Sequence, residues 1–140
     1  MKKISGILIL LIIVGCAKEQ KSAAIITSEQ DKEIICNVID NWHKNAAEGN
    51  FEAYFNSMTN NSVFIGTDAS ENWAVSEFKE FSKPHFADGL AWDFKAINRN
   101  VYLAVDYKTA WFDELLNTWL GVCRGSGVLV KENNQWKIQH

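Results

Sequence analysis

The 140-residue chain reads as an α+β domain, with its helices first and an antiparallel sheet after them. Three observations carry that reading. Apolar residues recur at helical spacing between Ile35 and Ala46, they alternate with polar residues after Ala91, and glycine and asparagine separate the later segments. Helices followed by consecutive strands fit this class better than the strict alternation of a parallel sheet.

The first helix is expected over about Glu29 to Glu48, where Ile35, Val38, Ile39, Trp42 and Ala46 form one apolar stripe. Thr27 and Ser28 offer caps, with Gln30 and Asp31 three residues on to reciprocate, and Gly49 ends the helix. Asn50 then caps a short second helix in which Phe51, Tyr54, Phe55 and Met58 share a face, closed by Asn60 and Asn61. Ser62–Gly66 is a short strand. A third helix covers Val75–Ser82 with Phe78 and Phe81 inward, and Pro84, the only proline, closes it.

Beyond Ala91 the pattern is that of a meander. Trp92, Phe94 and Ala96 alternate with Asp93 and Lys95, as in a half-buried strand. Asn98-Arg99-Asn100 reads as a turn into Val101–Val105, whose partner begins at Thr109. Asn133-Asn134 precedes a last strand around Gln135–Ile138. Only a few residues of that strand precede His140, so a truncated last strand is expected.

Lys2 and Lys3, the apolar run Ile4–Ile12 and the sequence Ile13-Val14-Gly15-Cys16 have the layout of a secretory signal. The run is shorter than the roughly 20 apolar residues that span a bilayer, and Lys18, Glu19 and Lys21 interrupt it. The segment resembles the lipobox of bacterial lipoproteins, in which the cysteine receives a diacylglyceryl group and the preceding peptide is removed. This resemblance implies a signal peptide over residues 1–15, a lipidated Cys16 with a tether to residue 27, and a domain over 28–140. It implies a membrane partner through the N-terminal lipid and a place in the cell envelope. Ala17 after the cysteine, rather than Asp, resembles lipoproteins forwarded to the outer membrane of Gram-negative cells, and the resemblance implies that location.

Lys and Arg number 14 against 17 Asp and Glu, without a basic cluster or aromatic-basic stripe, which argues against nucleic acid as a partner. Six Trp and eight Phe point instead to an aromatic interior or pocket. His43, His85 and His140 lack a metal-ligand spacing, so no metal is expected. The absence of a phosphate loop, a dinucleotide fingerprint and a nucleophile elbow leads to the expectation of no cofactor. After Cys16, Cys36 and Cys123 remain; an oxidising compartment permits a disulfide, but two separate thiols are the expectation.

Several runs together carry a second resemblance. Phe64-Ile65-Gly66-Thr67-Asp68 with Trp73, Ala110-Trp111-Phe112-Asp113-Glu114, Arg124-Gly125-Ser126-Gly127-Val128-Leu129 and Trp136-Lys137-Ile138 resemble, in this order, the SnoaL-like branch of the nuclear transport factor 2-like superfamily. The resemblance implies a cone in which a curved antiparallel sheet and three helices enclose a cavity. It also implies a possible homodimer, since sheets of these proteins often pair face to face. The superfamily includes isomerases, cyclases, dehydratases, small-ligand binders and assembly domains, so fold alone does not select a function.

Chemistry is best sought on the strand Thr109–Leu116. Trp111, Asp113 and Leu115 alternate with Ala110, Phe112, Glu114 and Leu116, so either face carries a carboxylate into apolar surroundings. Burial raises the pKa of such a group, as a general base near neutrality requires. A five-residue hairpin loop over Asn117–Gly121 would place Glu114 opposite Arg124, predicting an ion pair. The catalytic candidates are thus Glu114 and Asp113, with His43 or Arg124 assisting, although His43 also reads as a rim histidine paired with Asp40. The ligand-binding candidates are Trp42, Asp68, Trp73, Trp92, Trp111 and Arg124. Core packing for the tryptophans and a turn or capping role for Asp68 are the plainer alternatives. The expected function is a lipid-anchored domain that binds a small, partly apolar molecule or an envelope protein, with an acid-base enzyme as the alternative. Gly125-Ser126-Gly127 inside a strand suggests a bulge or bend.

Overall fold

Between Gly15 and Gly49 the chain has neither glycine nor proline, and no residue in that stretch forces a helix to stop. The structure, a computed structural model, describes residues 13–89 and 91–140, with side chains from Ser28 onward. Its first helix, α1 (Ile13–Ala47), is correspondingly long. Residues 16–27, expected as a tether, have helical backbone, and Thr27 and Ser28 lie inside α1 rather than capping it. Gly49 ends α1 at φ +67°, and Asn50 N–H reaches back to the Asn45 carbonyl at 2.8 Å. A side chain at Gly49 would bring its Cβ within 2.8 Å of the Gly89 backbone, so glycine is required there twice over.

Helix α2 (Phe51–Asn56) follows with Asn50 at its N-cap position, but the Asn50 amide bonds Glu48 rather than capping. β1 (Val63–Ile65) and β2 (Asn72–Ala74) form a small hairpin whose second strand was too short to leave a period in the sequence. Helix α3 (Val75–Ala87) runs through Pro84 instead of ending before it. Its inner face, Phe78, Ser82 and Phe86, is buried along the whole length. Phe86 packs on Phe51 and Tyr54 at 5.4 and 5.2 Å, so burial on both sides of Pro84 outweighs one missing N–H donor. Phe81, expected inward, is exposed.

Trp92–Phe94 is irregular, not strand, and β3 (Lys95–Leu103) starts after it. The expected turn at Asn98-Arg99-Asn100 is strand interior, with a register shift between Ala96 and Asn98 just before it. β4 (Thr109–Thr118), β5 (Gly121–Glu132) and β6 (Gln135–Ile138) complete an antiparallel sheet in the order β3-β4-β5-β6. The β4–β5 loop is two residues, Trp119-Leu120, with Gly121 at φ +95°. Leu115 therefore opposes Arg124 and Glu114 opposes Gly125. This one-residue shift moves Arg124 to the opposite face from Glu114 and removes the expected Glu114–Arg124 pair. No bulge interrupts Gly125-Ser126-Gly127; a Cβ at Gly127 would lie 2.7 Å from the Phe112 ring, so the glycine makes room for the core.

One face of the sheet, with Ala110, Phe112 and Leu129, packs against Ile35 and Ile39 of α1 and the aromatic residues of α2 and α3. Asp31 on α1 accepts hydrogen bonds from Lys131 at 2.8 Å and Trp136 Nε1 at 3.0 Å, which ties the helix to β5 and β6. Cys36 and Cys123 are free thiols.

Candidate functional site

Cys36, Asp40 and His43 lie at i, i+4 and i+7 on α1, so one side of the helix presents them together. That side meets β3 and β4 where Arg99 and Glu114 are directly opposed. Opposed residues share a face, and here it is the inner one. Glu114 is 2% exposed and His43 7%.

Both oxygens of Glu114 are engaged by neighbours. His43 Nε2 lies 2.7 Å from Glu114 Oε1. Arg99 Nε donates to Glu114 Oε2 at 2.9 Å, and Nη2 stands 2.7 Å from the same oxygen as an ion-pair contact. Nη1 donates to Asp40 Oδ1 at 2.7 Å and to the Cys36 carbonyl at 3.1 Å. Arg99 thus links an exposed carboxylate to a buried one and fastens both to α1.

The electrostatics reverse the expectation for Glu114. Burial pushes its carboxyl upward, but hydrogen bonding and charge from His43 and Arg99 together hold it below the usual glutamate value. An ionised carboxylate only accepts, so the His43 nitrogen facing it carries a proton. Glu114, with both oxygens occupied, is an orienting group for His43 rather than a base.

A cavity of about 490 Å³ lies at the end of the sheet, walled chiefly by Trp92, Asp93, Lys95, Asn117, Thr118 and Trp119. Asp93 and Lys95 pair across its rim at 3.2 Å. Phe94 contacts both a wall residue of the cavity and the buried cluster: its ring stacks on Trp119 at 5.5 Å and meets the His43 ring edge-on at 6.3 Å. A second hollow, of about 280 Å³, lies between α1 and β6 beside Ile34, Val38 and Trp136.

The expected residues divide between several places. Glu114 and His43 come together. Trp42 packs on His43 at 5.3 Å and stacks on Tyr54 at 5.0 Å, while Trp92 lines the cavity. The others lie elsewhere. Asp113 and Arg124 pair with each other at 2.8 Å on the outer face, where Trp111 is 46% exposed and stacks on Tyr102. Trp73 stacks on Phe81 beside the β1–β2 hairpin. Asp68 accepts from Ser70 in the exposed turn between β1 and β2, which is the plainer of its two readings. Asp40 holds Arg99 rather than His43. Sequence reasoning missed Arg99, Phe94 and Trp119. Arg99 was hidden inside an Asn-Arg-Asn turn signal, and its pairing across β3 and β4 is a matter of register alone.

Among the described residues no group of three metal-binding side chains is present, and no helix is long and apolar enough to cross a membrane. The side chain of Cys16 lies outside those described.

Comparison with solved structures places the architecture among nuclear transport factor 2-like folds. A nuclear transport factor 2-like protein of unknown function from Pseudomonas putida superposes with a TM-score of 0.64 at 12% identity, covering 81% of this chain and 84% of that one. A putative scytalone dehydratase from Novosphingobium aromaticivorans gives 0.65 at 10% identity, covering 82% and 83%. The association domain of C. elegans CaMKII gives 0.62 at 17% identity, covering 81% and 95%. At these identities the likeness is one of fold. A search of curated proteins finds no match. The family description "SnoaL-like domain" matches residues 35–140, from the middle of α1 through the whole sheet, and the chain belongs to that family.

Proposed function

We propose that this is a ligand-binding domain of the cell envelope, anchored to a membrane, in the outer membrane of a Gram-negative cell, by lipid on Cys16. Its ligand is a small, partly apolar molecule held in the mouth cavity. One observation carries the ligand reading: the 490 Å³ space has two indole walls, Trp92 and Trp119, and a short polar rim. That is the composition of a small-molecule site, apolar walls with a few polar groups to orient the guest. Trp119 is 70% exposed, so it contributes little to the core and is available to a ligand. Trp119→Ala is expected to leave the melting temperature nearly unchanged and to weaken binding of flat apolar compounds by about tenfold, the effect of losing one aromatic contact. Calorimetry with wild type and variant measures this; equal affinities would move the site elsewhere.

A second reading, acid-base catalysis, is favoured by the 2.7 Å contact between His43 and Glu114. In it His43, with its tautomer set by Glu114, is the base, and Arg99 keeps Glu114 ionised. Turnover that survives His43→Gln would remove this reading. The outer face, with Tyr102 and Trp111 exposed, is the surface a homodimer or an envelope protein would use. A monomer by light scattering would remove the dimer.

A further inference from the structure

We infer that Phe94 is a gate between the mouth cavity and His43, and that the molecule it admits is uncharged and donates a hydrogen bond to Nδ1 of His43. The inference rests on the ligand-binding reading above and adds the class of ligand and the residue that selects it.

Three features support the gate. The Phe94 ring is the common neighbour of His43 inside and Trp119 outside. It is only half-buried, so its displacement uncovers the histidine without opening the aromatic core around Tyr54 and Phe78. It also stands in the irregular segment Ala91–Phe94, ahead of the first strand hydrogen bond of β3, and Gly89, at φ +83° with open space around its Cβ position, precedes that segment. Backbone outside a ladder moves at lower cost than a paired strand.

The chemistry behind the gate selects the guest. Glu114 takes a proton-bearing nitrogen of His43, and in the neutral form of the ring the remaining nitrogen is an acceptor whose partner is an O–H or N–H donor. Of the surrounding charges, Glu114 and Asp40 are negative and Arg99 positive, and the Asp93–Lys95 pair at the rim cancels. Around the neutral form of His43 the balance is one net negative charge. The charge of Arg99 is committed to two carboxylates: Nε donates to Glu114, Nη1 donates to Asp40 and the Cys36 carbonyl, and Nη2, buried without a hydrogen bond, stands 2.7 Å from Glu114 as an ion-pair contact. A carboxylate guest would enter against like charge and without a partner, whereas a neutral ring bearing one donor meets no such penalty.

Labelling of the full chain with diethyl pyrocarbonate, which attacks the unprotonated imidazole nitrogen, tests both parts, with exposed His85 and His140 as internal references. His43 is expected to react about tenfold more slowly than His85, and Phe94→Ala to raise the His43 rate about tenfold while His85 is unchanged. Should Phe94→Ala lose its cooperative melt, Phe94→Leu carries the same expectation at smaller size. Indole, neutral with one donor, is expected to slow His43 labelling at concentrations about tenfold below those needed of 1-methylindole or indole-3-carboxylate. An unchanged His43 rate in the Phe94 variants, or equal protection by the three compounds, overturns the proposal. Indole binding that Trp119→Ala weakens but that leaves His43 labelling unchanged overturns the gate and spares the mouth cavity. Absence of binding by all three compounds overturns both.

Discussion

Replacing Arg99 with methionine is expected to lower folding stability by about 3–5 kcal/mol at neutral pH, because it leaves Glu114 charged, buried and without its cationic partner. Glu114 sits between α1, β3 and β4 and is 2% exposed, so water has no route to replace the guanidinium. Asp40, also released, is exposed and rehydrates, so the loss belongs to Glu114. The pH dependence has a definite sign. In the native protein the folded carboxyl lies below its ordinary value of 4.5, so its stabilisation is complete above that value and fades as pH falls through the folded one. Without Arg99 the burial contribution is less opposed, and protonation relieves the variant. The gap between wild type and Arg99→Met is therefore widest at neutral pH and narrows toward acid. Adding Glu114→Leu to Arg99→Met should recover most of the loss, since no buried charge is then left alone. Urea unfolding of the three proteins at neutral and acidic pH measures this. A pH-independent gap below about 1 kcal/mol would show the pair to be solvated after all.

At Tyr54, two substitutions are expected to act in opposite directions. The ring is fully buried and stacks on Trp42, with Phe55, Phe86 and Trp92 around it at 5.0–5.5 Å. Its hydroxyl has no hydrogen-bond partner among the described residues, and burial pushes its pKa well above the ordinary tyrosine value. Tyr54→Phe removes only the unpaired oxygen and should stabilise the domain by about 1 kcal/mol. Tyr54→Ala removes the ring from the centre of the aromatic cluster and should cost about 3–5 kcal/mol, as large aromatic truncations do when the surroundings cannot collapse. Thermal melts of the two variants decide the matter. Destabilisation by Tyr54→Phe would show that the hydroxyl has a partner in solution, a bound water or a ligand.

Both predictions depend on residues whose importance was unevenly legible. The stripe Ile35, Val38, Ile39, Trp42 and Ala46 announced α1, because helical periodicity survives in any buried surface helix. The alternation along Thr109–Leu116 announced β4 and reduced the buried carboxylates to two. What it left open was the face, since a period of two is blind to which side is inward. Pro84 and Asn98-Arg99-Asn100 were read by their local preferences, and in both cases tertiary contacts prevailed: Phe86 holds the last turn of α3, and pairing with β4 keeps Arg99 in a strand. Phe94 read only as part of a strand alternation and Trp119 gave no signal, because the two meet across the end of the sheet only in the folded chain.

The amino-acid order by itself determined the class of the domain, the placing of helices before the main sheet, its family and the short list containing Glu114 and His43. Those features follow from local periodicity and short motifs, which involve residues a few positions apart. The tertiary structure alone decided that Glu114 faces inward, that its partners are Arg99 and His43 rather than Arg124, and that its carboxyl is held ionised instead of neutral. The reason is register. A two-residue loop at Trp119-Leu120 instead of a longer one shifts the β4–β5 pairing by one position, and one position exchanges the two faces of a strand.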